Sequence, residues 1–93
     1  MIPRILHRVV PEDVPTEYEE YWMRAQELHP GWEFRTWQDP IDPDGFESSH
    51  LWPKVESGAQ LAGLIRLEVL WKFGGVYLDM DVEPIRSLEP LLH

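Results

Sequence analysis

Residues 63–92 read GLIRLEVLWKFGGVYLDMDVEPIRSLEPLL, and the break in periodicity inside this stretch decides the fold class. Gly74-Gly75 provides the side-chain-free, left-handed ending that a long helix often needs. Upstream, Ser57 is placed to cap that helix, which is expected to run to about Phe73. It is apolar on nearly every side except at Arg66, Glu68 and Lys72, which predicts burial on several faces. Downstream, Val76 to Val82 (VYLDMDV) alternates with period two. A strand there would put Val76, Leu78, Met80 and Val82 on one face and Tyr77, Asp79 and Asp81 on the other.

Working outward, Ile2 to Val10 (IPRILHRVV) is rich in aliphatic and β-branched residues and ends at Pro11, which cannot donate to a sheet ladder. A first strand is expected. Thr16 and Glu19 have capping-box spacing, and Tyr18, Tyr21, Trp22, Ala25 and Leu28 follow at helical intervals until His29-Pro30-Gly31 stops them. Trp32 to Trp37 (WEFRTW) alternates as a second short strand, and the following DPIDPDG is turn-forming. Phe46 to Trp52 is expected to make a short turn of helix. The order strand, helix, strand, helix, strand predicts an α/β fold with a Rossmann-like parallel sheet and right-handed crossovers.

The 93 residues suffice for one domain, residues 1–93, with 43% hydrophobic content and five tryptophans to build a core. Seventeen acidic residues against eight Lys and Arg give a formal charge of -9, which argues against nucleic acid as a partner because phosphate-backbone affinity comes from cations. An acidic protein binds a phosphorylated small molecule when a metal ion bridges the two negative partners. Without cysteine there is neither a disulfide framework nor a thiolate zinc site, and the four histidines lack ligand spacing. The apolar stretches are interrupted by charge and no signal-peptide region opens the chain, so a soluble cytoplasmic protein with no membrane span is expected.

Asp79 and Asp81 carry the chemistry of this reading. Two carboxylates two residues apart on a strand project to the same side, close enough to share a hard cation such as Mn²⁺ or Mg²⁺. An ion with open positions takes pyrophosphate oxygens and stabilises the charge on a departing nucleoside diphosphate. Spacing alone is weak evidence, because Asp42-Pro43-Asp44 repeats it inside a turn. In parallel sheets ligands gather beyond the carboxyl ends of the strands, and that is where Asp79 and Asp81 fall. Arg66 has the alternative of pairing with Glu68, and Tyr77 of serving as a packed aromatic. His7 reads as a satisfied sheet residue.

The run of Arg66, Leu70, Gly74, Gly75, Tyr77, Asp79 and Asp81, with IPRILHRVV and HPGWEFRTWQD before it, resembles the glycosyltransferase sugar-binding region containing the DXD motif. That region occurs in yeast-type α-1,6-mannosyltransferases and, more distantly, in the large clostridial glucosylating toxins. The resemblance implies the minimal nucleotide-sugar-binding half of a type A glycosyltransferase fold, taking a hexose from a UDP- or GDP-sugar to an undetermined acceptor with retention. It implies Asp81 as the more direct metal ligand and Asp79 as a ligand through water or a contact to ribose and sugar. Arg66 would hold sugar hydroxyls or phosphate, Tyr77 and Gly75 would belong to the donor site, and the backbone at Val9 and Val10 would meet the base. The chain departs from the pattern at Gly63, where relatives have an acid, and at Val10, near the place of a stacking tryptophan. Those departures imply weaker donor binding. A non-catalytic donor- or metal-binding module and an assembly protein retaining the fold are the alternatives, and a homo-oligomer is expected to cover the apolar second helix and Leu91-Leu92.

Overall fold

The computed structural model describes residues 2–92, and its centre is a three-stranded parallel sheet in the order β2-β1-β3. β1 spans Ile5–Val10, α1 Thr16–Leu28, β2 Glu33–Gln38, α2 Gly58–Phe73 and β3 Val76–Tyr77. A 3₁₀ helix at Glu47–Lys54 lies between β2 and α2, and a second, Glu89–Leu92, follows β3. The α/β class and the parallel sheet agree with the sequence reading. As the central strand, β1 is covered on both faces, which is why Leu6, His7, Arg8 and Val10 are all buried.

Alternation along the strands sorts the two faces. On one, Leu6 packs with Trp22, Ala25 and Trp32, Phe34 meets the Trp22 ring edge-on, and the Arg8 guanidinium lies 4.7 Å from the Trp22 ring centroid. Arg8 also donates from Nε to Thr36 Oγ1, and its Nη1 lies 2.8 Å from Glu19 Oε1, an ion pair not aligned as a hydrogen bond. On the other face His7, Arg35 and Trp37 meet Phe73 at the end of α2. Trp22 and Trp32 are thus core residues.

Several boundaries differ from expectation. The first strand begins at Ile5 rather than Ile2: Ile2, Pro3 and Arg4 are exposed, and the ladder to β2 opens with the Glu33 N–H donating to Arg4 O at 3.0 Å. Thr16 lies inside α1 and caps nothing: Pro15 is the N-cap, with its carbonyl accepting from Tyr18 and Glu19 N–H groups. A proline loses little at a helix start, where N–H groups are unpaired anyway. Ser57 does cap α2, its Oγ accepting from the Gln60 N–H. α2 is buried along one side only, at Ile65, Glu68 and Val69, while Leu67 is 63% and Trp71 86% exposed. These two make the apolar surface that the anticipated self-association would cover.

Glu68 fastens the loop after β2 to α2. Its buried carboxylate accepts the backbone N–H groups of Glu47 at 2.6 Å and Ser48 at 2.8 Å, capping the 3₁₀ helix, and pairs with Lys72 at 2.9 Å. Burial acts to raise its pKa, but the hydrogen bonds from Ser48, Lys72 and Glu47 outweigh it and hold the group at about 2. Because the folded-state pKa is depressed, the contribution to stability is present above the ordinary value of 4.5 and is lost as pH falls from there toward 2. Glu68→Gln, which turns an amide toward two N–H donors, is expected to cost about 2 kcal/mol at neutral pH. A urea midpoint unchanged by the substitution would disprove that role.

Candidate functional site

The carboxyl ends of β1 and β2 open onto a cavity of about 340 Å³. Val9, Val10 and Pro11 form its floor, Asp39 its β2 side, and Ala59, Ala62 and Ile65 from the first turns of α2 its opposite wall. Met80 completes the lining. The lining is mostly apolar, and Asp39 is its one acidic member. The Asp39 N–H donates to Val10 O at 3.1 Å, so the end of β2 is tied to the end of β1. This is the edge of a parallel sheet where ligands collect.

β3 is shorter than its alternating sequence implies. Only Val76 and Tyr77 pair with β1, opposite Leu6 and His7, and one further bond runs from the Leu78 N–H to His7 O. The chain then turns, with the Val82 N–H donating to Asp79 O at 3.1 Å. The expected strand over Val76–Val82 is therefore corrected: Asp79 and Asp81 lie in and beside a turn beyond the strand, not on one strand face. Among the described residues β3 has no neighbour on its outer edge, and carboxylates are poor strand formers that gain by staying in water. Met80, between them, turns to the apolar cavity while both acids remain exposed.

The structure brings Val9, Arg66, Tyr77 and Asp79 together. The Arg66 guanidinium lies 5.5 Å from the centroid of the Tyr77 ring. Among the described residues it pairs with no acid, and Glu68, its alternative partner, is taken by Lys72. Tyr77 is half-buried; burial and then the Asp79 carboxylate push its phenol pKa up, while Arg66 and the Val9 backbone act in the opposite sense. The hydroxyl therefore keeps its proton at neutral pH. Asp79 and Asp81 form no salt bridge among the described residues, and no cluster of three or more His, Asp or Glu gathers there to cage an ion. Asp42 and Asp44 behave as turn acids, with the Asp44 N–H donating to Asp42 Oδ1.

Gly75 lies away from the cavity, at the other end of β1, with its backbone against Ile5. Val9, Val10 and Met80 line the cavity, as does Asp39, which the sequence reading passed over. The one sequence signal for Asp39 was its place directly after the second strand.

Residues 15–93 match the family described as the glycosyltransferase sugar-binding region containing the DXD motif. The chain belongs to that glycosyltransferase family, and its curated relatives include mannosyltransferases. It is 33% identical over 101 residues to inositol phosphoceramide mannosyltransferase 3 of Schizosaccharomyces pombe, covering 99% of this chain and 28% of that protein. To mannosyl phosphorylinositol ceramide synthase SUR1 of Saccharomyces cerevisiae it is 30% identical over 98 residues, covering 99% of this chain and 26% of the other. An uncharacterized glycosyltransferase of Acanthamoeba polyphaga mimivirus, L373, is 30% identical over 101 residues, with 99% and 40% covered. The chain thus spans well under half the length of these relatives. No solved structure matches it. Among the described residues no helix is long and apolar enough to cross a membrane.

Proposed function

We propose that this chain forms the donor-binding part of a metal-dependent hexosyltransferase that takes a sugar, mannose by analogy with the relatives' names, from a UDP- or GDP-sugar. The observation that carries the reading is the Asp79-Met80-Asp81 turn, which seats Met80 in the cavity at the sheet's carboxyl edge and leaves its flanking carboxylates in solvent beside it. In this arrangement the apolar walls at Val9, Val10, Ala62 and Ile65 take the nucleoside, and the diphosphate extends toward the acids.

The donor set suits Mn²⁺ or Mg²⁺. Such ions bind through one or two carboxylates and complete their shell with water and substrate phosphate, so two exposed acids outside any ion pair or closed cage among the described residues fit that demand. A divalent ion bound there supplies Lewis-acid stabilisation of the charge on the leaving diphosphate. Asp81 would serve as the direct ligand, and Asp79 would reach the ion through water or contact the ribose and sugar. Arg66, with no carboxylate partner among the described residues, is available to sugar hydroxyls or phosphate, and the protonated Tyr77 holds the sugar end of the donor through its hydroxyl. Configuration at the transferred carbon is retained, following the family resemblance. An inositol-containing sphingolipid, named in the yeast relatives, is the acceptor class that their names suggest.

Calorimetric titration of UDP, GDP, UDP-glucose and GDP-mannose, with and without Mn²⁺, tests this reading. Binding is expected with one nucleotide series and only in the presence of the ion. No heat with any of them under either condition sinks the proposal.

A further inference from the structure

We infer that His7 is the positioning residue of the site: as the neutral imidazole with its proton on Nε2, it fixes the Gly74-Gly75 turn to β1 and so sets where the Asp79–Asp81 segment leaves the sheet. Both ring nitrogens have partners of fixed polarity. The Trp37 indole N–H donates to His7 Nδ1 at 3.2 Å, and an indole nitrogen can only donate. His7 Nε2 lies 2.9 Å from Gly74 O, which can only accept. Of the three forms of an imidazole, only the neutral Nε2–H tautomer satisfies both. Imidazolium would point an Nδ1–H at the Trp37 N–H.

The surroundings favour the same form. His7 is fully buried, against both the Trp37 and Phe73 rings, which also stack on each other. Burial lowers its pKa, the Gly74 bond acts against that, and the charges that reach it, Arg35 and Glu33 on β2, oppose one another.

The consequence for the site follows from where His7 holds the chain. Its side chain grips Gly74 O and its own carbonyl accepts the Leu78 N–H at 2.9 Å. Between those points lie Gly75 and the two residues of β3, which among the described residues has a neighbour on one edge only. One residue of the central strand therefore suspends β3 at both ends, directly before Asp79. The side-chain half of this suspension is independent of the sheet ladder and is removable by substitution. Its meaning for catalysis rests on the donor-binding reading above, whereas the suspension itself does not.

Three substitutions separate the two bonds. A glutamine amide reaches about as far as Nε2 and keeps a donor for Gly74 O; an asparagine reaches only as far as Nδ1 and keeps an acceptor for Trp37; leucine keeps neither. Nitrogen-15 NMR of the unsubstituted protein is expected to show a protonated Nε2 and a lone pair on Nδ1. Amide hydrogen exchange at Val76–Leu78 is expected to accelerate about tenfold in His7→Asn and His7→Leu, to change little in His7→Gln, and to stay constant in α1 throughout. Mn²⁺-induced line broadening at Asp79–Val82 should survive in His7→Gln and weaken in the other two. A proton found on Nδ1, or equal exchange in the Gln and Asn variants, overturns the inference. Absence of Mn²⁺ broadening in the unsubstituted protein speaks against the metal reading alone, because the tautomer and exchange measurements judge His7 without any ion.

Discussion

Replacing Asp79 and Asp81 together by asparagine is expected to weaken Mn²⁺-dependent donor binding about a hundredfold or more, with unfolding stability changed by no more than about 0.5 kcal/mol. The two effects separate because of where the acids sit. Both are exposed and neither is in an ion pair among the described residues, so the fold draws little from them. Asparagine preserves the shape of each side chain and removes the charge that a hard cation requires. Of the single variants, Asp81→Asn should cost more than Asp79→Asn if Asp81 is the direct ligand. Calorimetry against the preferred nucleotide, at fixed Mn²⁺, measures both. Undiminished ion-dependent heat in the double variant would move the metal elsewhere and leave the turn without a role.

How far the sequence discloses this site depends on whether a feature is local. The Ser57 cap, the Gly74-Gly75 stop and the end of the first strand at Val10 are read correctly because each is decided by residues within a turn or two of itself. The extent of β3 is not local. VYLDMDV keeps its alternation to Val82, yet pairing ends at Tyr77 with one more bond from Leu78, because the chain turns there and seats Met80 in the cavity, a tertiary contact that alternation does not show. Asp39 gives little local signal for the same kind of reason: it joins the cavity only once β2 lies in register beside β1. Exposure on α2 is likewise tertiary, since an all-round apolar pattern predicts burial but cannot say which sides other elements reach. His7 and Trp37, thirty residues apart, meet through that same register.

The Gly74-Gly75 turn carries the largest expected loss of stability. Gly75 has φ +96°, a backbone conformation that costs an L-residue about 1–3 kcal/mol. A Cβ built there would lie 2.5 Å from Ile5 O and 2.9 Å from Ile5 Cβ, against the backbone of the central strand itself. Neither atom is the end of a flexible side chain, so the turn must move off β1, or β1, which has a strand on each side, must move. Gly75→Ala is therefore expected to destabilise by about 3 kcal/mol or more, a large share of the 5–15 kcal/mol total typical of domains. Gly63 supplies the control. It lies inside α2 with nothing within 4 Å of a built Cβ, so Gly63→Ala should stabilise by about 0.5–1 kcal/mol through helix propensity alone. Parallel urea denaturation of the two variants is decisive, because both add the same methyl group. Gly75→Ala at parental stability would mean that the turn is not pressed against Ile5, and β3 would then have to be placed anew.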